Sequence, residues 1–218
     1  VVLRIARTLQ KETGLINLCL AGGVALNCVA NGRLQREGPF ANLWIQPAAG
    51  DAGGALGCAL ATWHQYAGKP RQVSGTSDQM QGAYLGPRFA EHRVITELNQ
   101  VQAVYEPLDD YLLFDRLADV LSQGKIVGWF QNRMEWGPRA LGNRSILADA
   151  RNLNIKEIIN SKIKRRESFR PFAPSILNEN LQEWFEVKKE VPYMSEVYKI
   201  RKEKRHILPG ITHIDGTG

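Results

Sequence analysis

The chain has 218 residues, of which 44% are hydrophobic and 23% charged, and its formal net charge is +6. This balance is ordinary for a globular protein with a buried core, in one large domain or two small ones. No apolar run approaches the roughly 20 residues that a membrane-spanning helix needs, and the first residues lack a signal-peptide pattern, so we expect a cytoplasmic protein with no membrane partner.

The residues before position 68 predict alternating helices and strands. Apolar residues recur at helical spacing from Val1 to Thr13, and Gly14 follows as a helix-ending glycine, which predicts one amphipathic helix. The other elements predicted here are a strand at 15–20, a helix at 25–35, a strand at 43–46 and a helix at 55–67. Strands that alternate with helices indicate an α/β fold.

Residues 68–82 are polar and contain glycines without a hydrophobic period, so we interpret them as a linker. Beyond the linker, the pattern predicts helices at 90–99 and 111–122. Asp109 or Asp110 would cap the second of these helices. Five of its apolar side chains are predicted to form a buried stripe: Leu112, Leu113, Leu117, Val120 and Leu121.

The last predicted helix and strand lie in the second half of the chain. Gly124 and the β-branched and aromatic residues after it predict a strand at 125–130. A helix is predicted at 154–165, where Asn154 and Glu157 resemble a capping box. The inner face of this helix is predicted to consist of Ile155, Ile158, Ile159 and Ile163.

The positive charge is concentrated between Arg133 and Arg170 and in the run from Lys199 to Arg205. The first cluster suits a small anionic substrate as well as it suits nucleic acid, and the second is typical of a solvated face or hairpin. His213 and Asp215 alternate on a predicted strand, where a surface pair is favoured over a catalytic one. The three cysteines lack the spacing of zinc ligands and are interpreted as buried thiols: Cys19, Cys28 and Cys58.

The segment KIVGWFQNRMEWGPRALGNRSIL, residues 125–147, is the clearest candidate site. Its arginines, Arg133, Arg139 and Arg144, repel one another unless an anion lies between them, and their planar guanidiniums suit phosphate. The backbone amides of Gly137-Pro138 and Gly142-Asn143 are expected to face the same anion. The alternative is a structural network in which the arginines pair with acidic residues: Glu135, Asp149 and Glu167.

Two glycine-rich turns precede predicted helices. Gly22-Gly23 lacks both the Gly-Lys-Ser/Thr of a phosphate loop and the third glycine of a dinucleotide site, so its residues alone favour a tight turn without a ligand. Asp51 stands in the second turn, where its spacing favours a helix N-cap over a ligand. The four histidines lack H-x-x-x-H spacing: His64, His92, His206 and His213.

Five motifs together resemble one known family. They are LCLAGGVALNCVANGRL (18–34), PAAGDAGGALGCAL (47–60), EWGPRALGNRSILAD (135–149), IKRRESFRPFAPSIL (163–177) and THIDGTG (212–218). The chain is similar to the NodU/CmcH/TobZ family of O-carbamoyltransferases over nearly its whole length. Family members are considerably longer and this chain begins without Met, so we expect a fragment.

The resemblance implies a fold and a domain order. We expect an α/β chain in which the C-terminal part of an actin-like (ASKHA) ATPase-type domain occupies 1–75. A linker and connecting helix follow at 76–104. A truncated YrdC-like α/β domain is expected at 105–218.

The resemblance also implies which residues act. Five basic residues are expected to neutralise the substrates and stabilise developing charge: Arg139, Arg144, Lys164, Arg166 and Arg170. Seven residues are expected to bind the nucleotide and its phosphates: Gly22, Gly23, Asn27, Gly53, Gly137, Asn143 and Ser145. Asp51 is expected to ligate a divalent metal, described as iron in related domains, whose other ligands lie outside this chain. Glu167 stands where a YrdC protein often has proline, which leaves the register of that motif open.

The function implied is ATP-dependent O-carbamoyl transfer. Carbamoyl phosphate and ATP, with Mg²⁺, would give a carbamoyl-adenylate that passes its carbamoyl group to the hydroxyl of a small molecule or sugar, in nodulation or antibiotic biosynthesis. We expect the fragment alone to be inactive and nucleic acid not to be a partner. Whether the protein forms a homo-oligomer is left open by the sequence. The alternatives are a carbamoyl-transfer factor of hydrogenase maturation or tRNA modification, and a basic nucleic-acid-binding module whose affinity falls steeply with salt.

Overall fold

The computed structural model describes residues 1–73, 75, 78–187 and 189–218, and these form two compact units. Unit 1 consists of Val1–Leu85, Glu135–Arg139 and Val187–Tyr198. Unit 2 consists of Gly86–Met134, Ala140–Glu186 and Lys199–Gly218. Two short segments, 135–139 and 187–198, therefore belong to unit 1 although the residues on both sides of them belong to unit 2.

Unit 1 is built on a small parallel sheet. Its strands are β1, Asn17–Leu20, and β2, Asn42–Ile45, and its α-helices are α1, Val2–Thr13, α2, Cys28–Glu37, and α3, Asp51–Ala61. Asn17 pairs with Asn42 and Leu20 with Ile45, so α2 is the crossover helix between two parallel strands. A π-helical turn, Thr62–Tyr66, continues α3.

The beginning of the chain folds as predicted. Gly14 has φ 67 and its N–H donates to Gln10 O at 2.8 Å, so a left-handed glycine ends α1. Ala6, Leu18 and Leu34, one from each of α1, β1 and α2, form one buried cluster. A second buried cluster consists of Ala25, Ile45 and Ala49, which come from the turn after β1, from β2 and from the turn after β2.

Ser195 and Val197, from the segment 187–198, pack on α2. Asn31, 2% exposed, donates from Nδ2 to Ala25 O at 2.8 Å and to Ser195 O at 2.9 Å. A Cβ atom at Gly32 would lie 2.5 Å from Val197 O, so only glycine permits this approach. Ser195 lies 164 positions from Asn31, and no local pattern predicts such a contact.

Unit 2 contains an antiparallel strand pair and four α-helices. The strands are β3, Val127–Phe130, and β4, Arg144–Leu147, and the helices are α4, Glu91–Gln100, α5, Asp110–Ser122, α6, Ile155–Ile158, and α7, Leu181–Trp184. Val127 pairs with Leu147 and Phe130 with Arg144. A π-helical turn, Ile159–Lys164, continues α6.

Helix α5 confirms one prediction and contradicts another. Asp109 is its N-cap, since its Oδ1 accepts a hydrogen bond from Leu112 N at 2.9 Å, and Gly124 follows at φ 75. The predicted buried stripe is wrong, because none of the residues of α5, all of which the structure describes, is buried. Leu112 is 53% exposed, and the other four stripe residues are only half-buried.

Helix α6 departs from its prediction at both ends. Asn154 has helical backbone angles and no side-chain cap bond, so the predicted capping box is wrong. Beyond Ile158 the helix widens into the π-helical turn, whose i→i+5 bonding changes which face is buried. Ile155 and Ile159 are buried, but Ile163 is 44% exposed, so the predicted inner face is wrong at its last residue.

The mixed α/β character of the chain is confirmed, whereas its actin-like and YrdC-like arrangement and the predicted domain boundaries stay predictions. Three residues of the predicted linker, Ser74, Thr76 and Ser77, lie outside the described residues. Within the described part of the chain, no helix has the length and apolar character required to span a membrane.

Candidate functional site

The glycine turn, residues 21–27, connects β1 to α2. Gly22 has φ 92, a conformation that favours glycine, and its N–H donates to Ala49 O at 2.7 Å. Gly23 has no positive φ, and a Cβ atom there would meet no atom of the described residues within 4 Å. The space beside Gly23 is therefore open, and neither backbone conformation nor packing requires glycine at this position.

Asn27 ends the glycine turn and caps α2. Its Oδ1 accepts a hydrogen bond from Ala30 N at 3.0 Å. Since Gly23–Leu26 forms a 3₁₀ turn, α2 begins at Cys28 rather than at the predicted residue 25. The cap bond fixes the position of the Asn27 side chain. The contact between Asn27 and a nucleotide stays a prediction.

The loop 46–53 leads into α3, which begins earlier than predicted. Gly50 is the N-cap and Asp51 the first helical residue, without a side-chain cap bond, so the N-cap interpretation of Asp51 is wrong. A Cβ atom at Gly53 would lie 2.0 Å from Ala48 O. Gly53 is therefore required by the close approach of α3 to a main-chain carbonyl, and its contact with a nucleotide stays a prediction.

The segment 135–139 lies against both of these turns. Gly137 has φ 118, and a Cβ atom there would lie 3.2 Å from the Cα and Cβ atoms of Ala48. Arg139 donates from Nη2 to Leu26 O at 2.7 Å, which places a half-buried guanidinium at the end of the glycine turn. Unit 1 thus brings together seven predicted site residues: Gly22, Gly23, Asn27, Asp51, Gly53, Gly137 and Arg139.

The three arginines of the candidate loop are divided between the units, with Arg139 in unit 1 and Arg133 and Arg144 in unit 2. Arg133 donates from Nη1 to Gly86 O at 2.8 Å, so both Arg133 and Arg139 bind main-chain carbonyls. Two acidic residues of the alternative network, Asp149 and Glu167, have partners close in sequence. Asp149 pairs with Arg151 at 2.6 Å and Glu167 with Arg170 at 2.7 Å.

Asn143 closes the loop between β3 and β4. It is 8% exposed, its Nδ2 donates to Arg133 O at 2.6 Å, and its carbonyl accepts from Gln131 N at 3.0 Å. Ser145 Oγ accepts from Gly142 N at 3.1 Å. These bonds fix Arg144 as the first residue of β4, and the contacts of Asn143, Arg144 and Ser145 with a phosphate stay predictions.

The basic loop, residues 164–172, follows α6. Arg165 has φ 49 and ends the π-helical turn, after which Arg166 stacks on Phe172 with its Cζ atom 4.9 Å from the ring centre. Hydrogen bonds, first from the main chain and then from Arg170, hold the pKa of Glu167 below its usual value. Unit 2 thus holds Lys164, Arg166 and Arg170 on one short loop.

A second contact of unit 1 was not predicted. Tyr193 donates from its hydroxyl to Asp78 Oδ2 at 2.6 Å, and the N–H groups of Met80 and Gly82 donate to the same carboxylate. Burial raises the pKa of Asp78, but these three hydrogen bonds outweigh it, so the pKa is lowered. The Tyr193 ring also meets Trp44 edge-on, with ring centres 6.3 Å apart. Tyr193 and Asp78 are 115 positions apart, beyond any local signal.

His213 and Asp215 lie in a turn rather than on the predicted strand, and Thr217 joins them. Thr217 Oγ1 donates to Asp215 Oδ1 at 2.7 Å and lies 3.0 Å from His213 Nδ1. Burial lowers the pKa of His213, and its Nε2 atom is buried with no hydrogen-bond partner among the described residues. Of the three residues, Asp215 is exposed, which agrees with a surface position, whereas His213 is half-buried and only Thr217 is buried.

The run from Lys199 to Arg205 is solvated at Lys202 and Glu203, which are exposed, while other cations of the run hold segments of unit 2. Arg201 donates from Nε to Gln182 O at 2.7 Å, and Lys199 donates to Asp215 O. Lys204 lies 4.4 Å from the ring centre of Trp184. Lys199, Arg201 and Lys204 therefore contact other residues of unit 2.

The residues present do not form a metal site by themselves. Asp51 is exposed at the start of α3, and no group of three or more His, Cys, Asp or Glu side chains in the described part of the chain is arranged to hold a metal ion. A single carboxylate supplies too few ligands for a divalent cation. Asp51 with the described residues alone therefore does not hold a metal ion.

Comparison with known families assigns the chain. The family model described as Carbamoyltransferase N-terminus matches residues 1–60, and the one described as Carbamoyltransferase C-terminus matches residues 118–218. The chain belongs to the carbamoyltransferase family. By sequence Arg139 lies within the C-terminus match, whereas in the structure it lies in unit 1 beside the glycine turn of the N-terminus match.

Several relatives of this carbamoyltransferase chain are longer. An uncharacterised protein of Synechocystis, sll1178, is 52% identical over 239 residues, which cover 100% of this chain and 39% of the relative. Nodulation protein NolO of Bradyrhizobium diazoefficiens is 42% identical over 221 residues, with 100% and 39% covered. The 3'-hydroxymethylcephem-O-carbamoyltransferase of Streptomyces clavuligerus is 33% identical over 200 residues, with 92% and 35% covered. The chain thus spans well under half the length of these relatives.

Proposed function

We propose that the protein is an ATP-dependent O-carbamoyltransferase that activates carbamoyl phosphate as carbamoyl-adenylate and transfers the carbamoyl group to a hydroxyl of a small molecule or sugar. The observation that supports this best is the hydrogen bond from Arg139 to Leu26 O, which holds a guanidinium at the end of an open glycine turn. The cephem relative from Streptomyces clavuligerus carries O-carbamoyl transfer in its name.

The proposed chemistry has three steps. Water cleaves carbamoyl phosphate to carbamate and phosphate. A carbamate oxygen then attacks the α-phosphorus of ATP and releases pyrophosphate, which gives carbamoyl-adenylate. The acceptor hydroxyl attacks the carbamoyl carbon, loses its proton, and AMP leaves. The second step brings two anions together, carbamate and ATP, and in all three steps negative charge develops on the leaving group, so fixed cations lower the barriers by offsetting repulsion and stabilising that charge.

Unit 1 is proposed to bind the adenylate. Gly22 supplies a turn with φ 92 that a side chain would strain, and Gly23 leaves room for a phosphate to approach the main chain. Arg139 would neutralise that phosphate from its anchored position at Leu26 O. A guanidinium has five N–H donors, so a bond from Nη2 to Leu26 O engages only part of its donor capacity.

Unit 2 is proposed to bind carbamoyl phosphate. The cations proposed to bind it are Arg144 at the start of β4 and Lys164, Arg166 and Arg170 on the basic loop. Arginine forks bind phosphate oxygens in pairs, and a lysine adds a compact charge. Asn143 and Ser145 would support Arg144 through the bonds that close the hairpin loop. Mg²⁺ would arrive with ATP, and no residue is assigned to it.

Binding of nucleic acid is not favoured as a second function. The run from Lys199 to Arg205 is one basic stretch that could suit nucleic acid, but Arg201 and Lys204 contact Gln182 and Trp184 within unit 2. Cations held in this way are poorly placed to follow a phosphate backbone.

Arg139→Ala tests the proposed function. The full protein should release pyrophosphate from ATP only when carbamoyl phosphate is present, and mass spectrometry should detect carbamoyl-adenylate. The substitution should lower this rate by about 100-fold or more, in the range seen when one charge-stabilising donor is removed from an active site.

Arg33→Ala is the matched control. Arg33 lies on α2 in the same unit, is 63% exposed and pairs with Glu37, so its loss removes the same charge away from the glycine turn. The control should keep the unaltered rate. Normal adenylate formation by Arg139→Ala would refute the role of Arg139, and release of pyrophosphate without carbamoyl phosphate would refute the proposed reaction.

A further inference from the structure

Asn160 is a fully buried polar residue that the proposed chemistry does not use. It is 0% exposed and lies in the π-helical turn Ile159–Lys164. Buried amides are nearly always hydrogen-bonded, and π-helical turns occur frequently at functional sites. The partners of Asn160 therefore indicate what the turn is for.

Four hydrogen bonds join Asn160 to the basic loop. Its Nδ2 donates to Arg170 O at 2.9 Å and to Ser168 O at 3.3 Å. Its Oδ1 accepts from Arg166 Nε at 2.7 Å, and its main-chain oxygen accepts from Arg166 N at 3.0 Å. One residue thus fixes the main chain at both ends of the stretch 166–170.

The same bonds orient the guanidinium of Arg166. Its Nε is held by Asn160, its plane stacks on Phe172 with Cζ 4.9 Å from the ring centre, and Nη2 contacts Pro171 O at 3.4 Å. A guanidinium is planar, so fixing Nε and one face fixes the directions of its terminal N–H groups. Arg170, whose side chain is 51% exposed, extends from main chain that Asn160 also holds.

We propose that Asn160 is a positioning residue for carbamoyl phosphate, which holds Arg166 and Arg170 in the arrangement that binds the phosphate group. This inference rests on the proposed function. Asparagine suits the position because it presents two N–H donors and one acceptor on a short side chain. Aspartate would keep the acceptor for Arg166 but set an oxygen against the carbonyls of Ser168 and Arg170.

The test uses Asn160→Asp in the full protein, with Ser161→Ala as matched control. Ser161 neighbours Asn160 in the π-helical turn, but its Oγ donates to Glu157 O at 2.8 Å and not to the basic loop. Calorimetry measures the Kd for carbamoyl phosphate, and steady-state kinetics measure its KM and kcat. Asn160→Asp should raise both Kd and KM roughly 10- to 100-fold, the scale of a small misplacement of binding groups. Ser161→Ala should leave both unchanged.

A second variant keeps the test decisive if Asn160→Asp fails to fold. Arg166→Lys keeps the charge but removes the Nε donor that Asn160 binds, so it should raise the Kd for carbamoyl phosphate by a similar factor. An unchanged Kd in folded Asn160→Asp would overturn the positioning role alone. An unchanged Kd in folded Arg166→Lys would overturn both the positioning role and the assignment of Arg166 to carbamoyl phosphate. Absence of carbamoyl phosphate binding by the unaltered protein would overturn the proposed function, and the positioning role with it.

Discussion

Replacing Gly53 by alanine tests how the loop 46–53 is held against α3. The added Cβ atom would lie 2.0 Å from Ala48 O and 3.0 Å from Ala48 C. Both atoms belong to the main chain, so no side-chain rotation relieves the clash. The loop or the first turn of the helix has to move, and the turn that faces Gly137 moves with it.

The expected cost follows from two opposing effects. Alanine stabilises a helix by about 0.5–1 kcal/mol relative to glycine. Overpacking a rigid site costs about 1–3 kcal/mol and occasionally more. A contact of 2.0 Å with a main-chain oxygen belongs at the upper end of that range. We therefore expect Gly53→Ala to lower the free energy of unfolding by about 2 kcal/mol and Tm by roughly 4–8 °C.

Gly57→Ala is the matched control. Gly57 lies in the same helix without a positive φ, and a Cβ atom there meets nothing within 4 Å among the described residues. This substitution should raise the free energy of unfolding by about 0.5–1 kcal/mol. Thermal unfolding followed by circular dichroism at 222 nm compares the variants. A Gly53→Ala protein as stable as the unaltered one, or two variants that shift in the same direction, would refute the packing described.

Two further substitutions test contacts in each unit. Asp109→Ala should lower the free energy of unfolding by about 1 kcal/mol because α5 loses its N-cap bond to Leu112 N, and an unchanged urea midpoint would contradict this. Tyr193→Phe should cost about 1 kcal/mol at pH 7 by removing the hydrogen bond to Asp78. The pKa of Asp78 is lowered from its ordinary value of 3.8, so this stabilisation is present above that value and is lost as the pH falls through the folded pKa. Urea unfolding at pH 7 and in acid should show the gap between the two proteins narrowing in acid, and a constant gap would argue against the Asp78 contact.

The sequence predicted the ends of helices correctly where a residue at the end itself sets them. Gly14 ends α1 because a left-handed conformation suits glycine, and Asp109 caps α5 because its side chain reaches an amide three residues on. The capping box at Asn154 failed because capping needs a non-helical backbone at that residue, which spacing does not reveal.

Burial and long-range contacts lay beyond such local signals. The apolar spacing of α5 predicted a helix correctly, but how far Leu112 is covered depends on the rest of unit 2. The bonds from Asn31 to Ser195 and from Tyr193 to Asp78 join residues 164 and 115 positions apart. The division of the arginine loop between two units is of the same kind, since nothing in the segment EWGPRALGNR marks where it occurs.

The proposed nucleotide site is tested most directly by calorimetric titration of the protein with ATP, with and without carbamoyl phosphate, at two salt concentrations. We expect saturable binding of ATP that Arg139→Ala removes and Arg33→Ala retains, because only the first guanidinium lies at the glycine turn. Binding should be weaker at the higher salt concentration, since the ligands are anions held by cations. Equal binding of ATP by the two variants would contradict the placement of the nucleotide beside Arg139.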